Sequence, residues 1–270
     1  MIDEDLKVVA KDVRKNILKL ARSAGSMGAH IGPSLSIVEI LSVLYGRVMK
    51  YDLTNRSWNA RDRFILSKGH GALCLYCVLF EAGFITIDDL NSFEFEGGFF
   101  PGQPILNVEK GIEMSSGSLG MGLSFGVGVA LSSRLKNNPF RTFVLMGDGE
   151  VNEGSVWEAS MSAAHYKLGS LVAIIDNNGM QSDGKVREVM DTCSLEKKWD
   201  SFGWHVIVTD GHDTDSLGGA FGKIPFGDKP TVIIARTVKG KGVSFMENAV
   251  EWHHSAITQD QFERAMKEMA

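Results

Sequence analysis

The sequence predicts an α/β fold, a central parallel sheet with helices on both faces. Three observations carry that expectation. The stretches FVLM (residues 143–146) within RTFVLM and LVAII (residues 171–175) within LVAIID are continuously apolar, as in strands buried on both sides. They alternate with stretches of helical periodicity. Polar motifs follow the strands directly, at the carboxyl ends where such sheets bind ligands.

The elements follow in order. Leu6, Val9, Val13, Ile17, Leu20 and Ala24 recur at helical spacing. After the Gly-rich break GSMGAHIGPS, Ser34 reads as the N-cap of a second helix with Ile37, Ile40, Leu41 and Leu44 as its apolar stripe. Residues 63–66 form a short strand and 72–82 a helix. A Gly-spaced helix is expected to open near Met114 and run to Leu135. Strand 141–146, helix 153–166 and strand 171–176 come next, then strands 205–209 and 231–237 around a helical stretch at 215–221. No repeat or linker is evident, so residues 1–270 are expected to form a single domain with an N-terminal helical extension.

Composition excludes several classes. The net charge of −5 argues against a nucleic-acid backbone binder. An apolar fraction of 44% and a charged fraction of 23% are those of a globular chain, not a disordered one. The uncharged run 114–133 has the length of a membrane span, but its five Gly and six Ser make its hydropathy poor, so no membrane association is expected. The charged amino terminus shows no secretory h-region, and three cysteines fit a reducing compartment, so the expected location is the cytoplasm. Cys74 and Cys77 form C-x-x-C in the middle of a helix and read as buried apolar thiols.

Asp148 follows strand 141–146 between Gly147 and Gly149, and Asn178 follows strand 171–176. Parallel neighbours joined by one crossover helix would bring both to one sheet edge. A carboxylate and an amide oxygen are hard ligands that suit Mg²⁺ with open sites for phosphate oxygens. The two glycines let backbone N–H groups approach an anion, and the helix near Glu153 adds the positive end of its dipole.

The segment GDGEVNEGSVWEASMSAAHYKLGSLVAIIDNN (147–178) resembles the thiamine diphosphate motif, in the form found in the transketolase family. Other blocks match in family order: AHIGPSLSIVEIL (29–41), DRFILSKGHGALCLY (62–76), FPGQP (100–104), SSGSLGMGLSFGVGVAL (115–131) and TVKGKGVSFMENAVEWHH (237–254). The resemblance implies a thiamine diphosphate-binding fold. It implies metal ligation by Asp148, Asn178 and the Met180 carbonyl, with Mg²⁺ (or Ca²⁺ or Mn²⁺). Gly149 would meet the diphosphate, Leu119 the cofactor rings, and Gly117, Gly147 and Glu153 would complete the cofactor set. Glu153 and Glu158 would pair at a subunit interface. His70 and His253 would reach diphosphate or substrate oxygens, and His30 the donor sugar's hydroxyls. These three histidines would handle protons near neutral pH.

The implied reaction moves a two-carbon ketol unit from a ketose or ketose phosphate to an aldose. By resemblance the cofactor-activating Glu lies in a second domain, which residues 179–270 do not match. The chain is therefore expected to act with a C-terminal subunit carrying the pyrimidine-binding domain, in a heterotetramer of two copies each, on sugar phosphates. Three positions depart from the family pattern: Gln103 for a usual His, Ser182 for an aliphatic residue and Met121 for a usual Gln. They point to altered donor choice. A relative with a specialised ketose donor and a non-catalytic cofactor-binding module stay open as alternatives.

Overall fold

A computed structural model describes residues 5–269; the first residues of the charged amino terminus and Ala270 lie outside the described residues. The chain runs through α1 (Leu6–Ser23), α2 (Ile31–Leu35), α3 (Val38–Val43), β1 (Arg63–Leu66), α4 (Ala72–Glu81), α5 (Ile87–Asn91) and α6 (Met121–Leu135). It continues with β2 (Thr142–Gly147), α7 (Gly154–His165), β3 (Leu171–Asn177), β4 (Met180–Gln181), β5 (Gly184–Lys185), α8 (Val186–Val189) and α9 (Leu195–Ser201). The last elements are β6 (His205–Asp210), α10 (Thr214–Phe221), β7 (Thr231–Arg236) and α11 (Gln259–Glu268).

Five strands form one sheet in the order β1-β2-β3-β7-β6, all parallel. The continuous apolar runs have the expected cause, since alternate residues enter two separate cores. Phe143, Leu145, Val172, Ile174 and Ile233 face one core with α1, α3, α4 and α10. Val144, Met146, Ala173, Ile175 and Ile234 face the other with α6, α7 and α9. Helix α6 lies so close to the sheet that a Cβ on Gly126 would sit 2.5 Å from Val144. Helix α4 is buried along most of its length, and Cys74 and Cys77 are free thiols within it whose pKa values burial pushes up. Among the described residues no helix is long and apolar enough to cross a membrane.

Two boundaries differ from expectation. Ser34 is not an N-cap; it sits inside α2, which starts at Ile31 because Pro33 falls in the first turn, where a missing N–H costs nothing. The helix breaks at Ser36–Ile37 and resumes as α3. Helix α6 starts at Met121, not near Met114. Gly120 adopts φ +77° there, and its N–H goes to Glu150 instead of opening a helical turn.

Candidate active site

Strands β2 and β3 pair in register Gly147↔Asp176, so the residues beyond them share one edge. The Asp148 N–H donates to the Asp176 carbonyl at 3.2 Å. One Asp148 carboxylate oxygen accepts from the Gly149 N–H (2.9 Å), the other from the Gly179 N–H (2.6 Å) and Asn177 Nδ2 (3.0 Å). Asn178 Oδ1 accepts from the Met180 N–H at 2.9 Å. Asp148 is buried and makes no ion pair among the described residues. Burial, and then the charge of Asp176, push its carboxyl up to about 6. A carboxylate buried without a counter-charge beside an amide oxygen and a backbone carbonyl fits a divalent cation.

Glu150 fastens this turn. Its buried carboxylate accepts from the Gly147 N–H (3.0 Å), the Gly120 N–H (2.9 Å) and the Ser67 hydroxyl. It thereby ties β2 to the ends of β1 and α6. Gly120 could not be replaced, because a Cβ there would lie 2.6 Å from that of Glu153.

The other end of the site is a histidine cluster. Ring centroids lie 5.8 Å apart for His30–His70, 5.5 Å for His30–His253 and 5.3 Å for His70–His253. Backbone pairing of Ala29 with Ser255 in both directions, each at 3.0 Å, holds the segments of His30 and His253 together. Lys239 is almost fully buried and lies 2.8 Å from His253 Nδ1. An ammonium only donates, so Nδ1 accepts and the His253 proton resides on Nε2. Burial lowers His30 to about 4, helped by His254 and Lys239. Burial and Lys239 lower His253 to about 3, and burial and Lys68 lower His70. At pH 7 the three rings are therefore neutral acceptors and donors. They do not titrate near neutrality, as histidine type alone suggested.

A cavity of about 330 Å³ joins the two ends. Of the sequence-derived candidates, His70, Leu119, Gly147, Asp148, Gly149, Glu153, Asn178, Met180 and His253 line it. His30 touches it only through its ring neighbours. Gly117 and Gln103 stand outside its lining, beside the Gly69 turn, where Gln103 Oε1 and Ser116 Oγ are buried without hydrogen-bond partners. Residue-type reasoning passed over Lys68, Lys239 and Gln181, which also line the cavity. Lys68 stood two residues before His70 in SKGHG, and Lys239 in TVKGKG, within blocks singled out for their histidines. A larger groove, about 640 Å³, lies at the amino ends of the strands. It holds none of these residues, and its Arg141 is neutralised by Asp62 at 2.5 Å.

Residues 8–270 match the family model described as "Transketolase, thiamine diphosphate binding domain". The chain belongs to the transketolase family. It is a thiamine diphosphate-dependent, transferase-type chain. Over 266 residues it is 40% identical to an apulose-4-phosphate transketolase subunit of Actinobacillus succinogenes, covering 98% of this chain and 96% of that one. It is also 40% identical to the 6-deoxy-6-sulfo-D-fructose transketolase subunit SqwG of a Clostridium species, at 98% and 96% coverage. Human transketolase is 36% identical, and this chain spans 42% of it. The transketolase structure from Leishmania mexicana superimposes with a TM-score of 0.91 at 28% identity, over 98% of this chain and 41% of that chain.

Proposed function

We propose that this transketolase-family chain is the N-terminal subunit of a two-subunit enzyme that moves a two-carbon ketol unit from a specialised ketose or ketose phosphate to an aldose acceptor. In this reading residues 1–270 are one cofactor-binding domain. The partner subunit supplies the pyrimidine-binding domain in a cytoplasmic heterotetramer. The carrying observation is the two-ended cavity, with a cation-seeking carboxylate at one side and neutral imidazoles with Lys239 at the other. The match to relatives of the same length, each named as one subunit of a transketolase, supports the division into two chains.

Asp148, Asn178 and the Met180 carbonyl would hold Mg²⁺, with Gly149 and Lys239 toward the diphosphate. When bound, thiamine diphosphate supplies the nucleophilic carbon and the electron sink for carbon–carbon cleavage. His253, with its proton fixed on Nε2, donates a hydrogen bond toward a sugar oxygen. His30 and His70, neutral at pH 7, accept hydroxyl protons or orient hydroxyls. Leu119 would pack against the cofactor's rings. Gln103, beside the Gly69 turn next to the cavity, bears on donor choice in this reading, since an amide there cannot become charged. The named substrates of the relatives, apulose 4-phosphate and 6-deoxy-6-sulfo-D-fructose, support a donor outside the ordinary pentulose phosphates.

The test is ketol transfer by the purified chain with and without the co-expressed partner, across a panel of ketose donors. Activity is expected only on mixing. Robust turnover by this chain alone would refute the two-subunit reading.

A further inference from the structure

Asp176 ends the buried part of β3 and has no solvent exposure. Oδ2 accepts from Ser36 Oγ (2.6 Å), Lys68 Nζ (2.5 Å) and Asn178 Nδ2 (2.9 Å), and Oδ1 accepts from Thr237 Oγ1. These four donors stand on four segments, and each segment carries a site residue. Ser36 ends the helix that His30 begins, Lys68 lies two residues before His70, and Thr237 lies two before Lys239. The fourth donor is Asn178 itself.

We infer that Asp176 is a positioning residue that fixes the amide orientation of Asn178 and so presents Asn178 Oδ1 to the cation. A carboxylate can only accept a hydrogen bond, so it selects the Nδ2 side of the amide. Oδ1 then points away, where it accepts from the Met180 N–H and keeps a second lone pair free. The reversed amide would set oxygen against oxygen at Asp176 and N–H against N–H at Met180. Asp148 selects Nδ2 of Asn177 in the same manner. Two carboxylates thus orient two successive amides, which gives the Asn-Asn pair a physical reason beyond its single ligand. This inference rests on the reading that Asp148, Asn178 and Met180 hold a divalent cation.

The experiment is calorimetric titration of the full chain with Mg²⁺ in the presence of inorganic pyrophosphate, alongside urea unfolding. Asp176→Asn offers Asn178 a donor or an acceptor and removes the selection. Its Mg²⁺ affinity is expected to fall at least tenfold. Ser36→Ala removes a bond of the same carboxylate without touching Asn178. It is expected to lose stability while its Mg²⁺ affinity stays within threefold. Asp176→Glu keeps a charge for Lys68 but displaces the acceptor from Asn178, and serves if Asp176→Asn does not fold; the same tenfold loss is expected. A folded Asp176 variant within threefold of the native affinity overturns the inference, as does an equal affinity loss in Ser36→Ala. No Mg²⁺–pyrophosphate binding by the native chain overturns the cation reading itself, a different result from native binding that the variants share.

Discussion

Asp148 and Asn178 hang directly from two adjacent strands, whereas His30, His70 and His253 come from three separate loops that meet only in the folded chain. The first pair is locked by backbone N–H groups and by neighbouring side chains. The rings are held by packing, one short backbone pairing and the Lys239 contact. One end of the cavity thus has its geometry set by the sheet. The other has its chemistry set by burial and nearby charge, and so can be tuned without disturbing the fold.

The sharpest way to break this contrast is at the sheet-anchored end. Asp148→Ala in the assembled enzyme is expected to weaken Mg²⁺-dependent thiamine diphosphate binding more than a hundredfold, about 3 kcal/mol. Asn178→Ala, which removes a neutral oxygen, is expected to cost roughly tenfold. Calorimetry checks both, and an unchanged Asp148→Ala would reduce the motif to a turn.

At the histidine end, Lys239→Met removes both the donor on His253 Nδ1 and a nearby positive charge. The His253 pKa, about 3 in the native chain, is expected to rise, as read by NMR titration of the ring. Because Lys239 acts second to burial, the ring should remain below an ordinary histidine. A value that does not move would remove Lys239 from the account.

The same rings make the cofactor-free chain sensitive to acid. His30 and His253 titrate at about 4 and about 3 when folded, below the ordinary 6.5 of the unfolded chain. Between those values the unfolded state binds more protons, so stability is full above pH 6.5 and falls as pH drops toward 4. Urea unfolding at pH 7, 6 and 5 should show the decline, and His30→Asn should flatten it. A His30→Asn slope equal to that of the native chain would remove His30 from the account.

The smallest expected effect is at Gln103. Gln103→His should alter the kcat/KM ratio between xylulose 5-phosphate and other ketoses by more than about threefold, roughly 0.7 kcal/mol. A native preference for xylulose 5-phosphate with no change in the variant would make the substitution silent.

The sheet and both cores were legible because continuous apolar runs admit few other architectures. The Asp148 end was legible for the same reason, since its residues abut those runs in sequence. The neutral state of the histidines was not, because it depends first on burial, which forms only when three separate segments meet, and then on the lysines brought beside the rings. Nor was the role of Asp176 visible: as the last letter of LVAIID it looked like the end of a strand, and its four donors come from elsewhere. Helix α11 was readable both from the capping box of Thr258 and Gln261 and from Phe262, Ala265, Met266 and Met269 at helical spacing, and it was passed over.

The parallel order of the sheet has a consequence in time. Residues 63–66 must find 142–145 before β1 and β2 can pair, and no tight hairpin can join parallel neighbours. Each pairing closes a long loop before its contacts repay the entropy. The strand ends that carry Lys68, Asp148 and Asn178 are therefore expected to come into line only after these pairings form. A ligand bridging them has nothing to grip in the unfolded chain. It should slow unfolding far more than it speeds folding, so adding the cofactor during refolding would trap finished molecules and leave the search itself unguided.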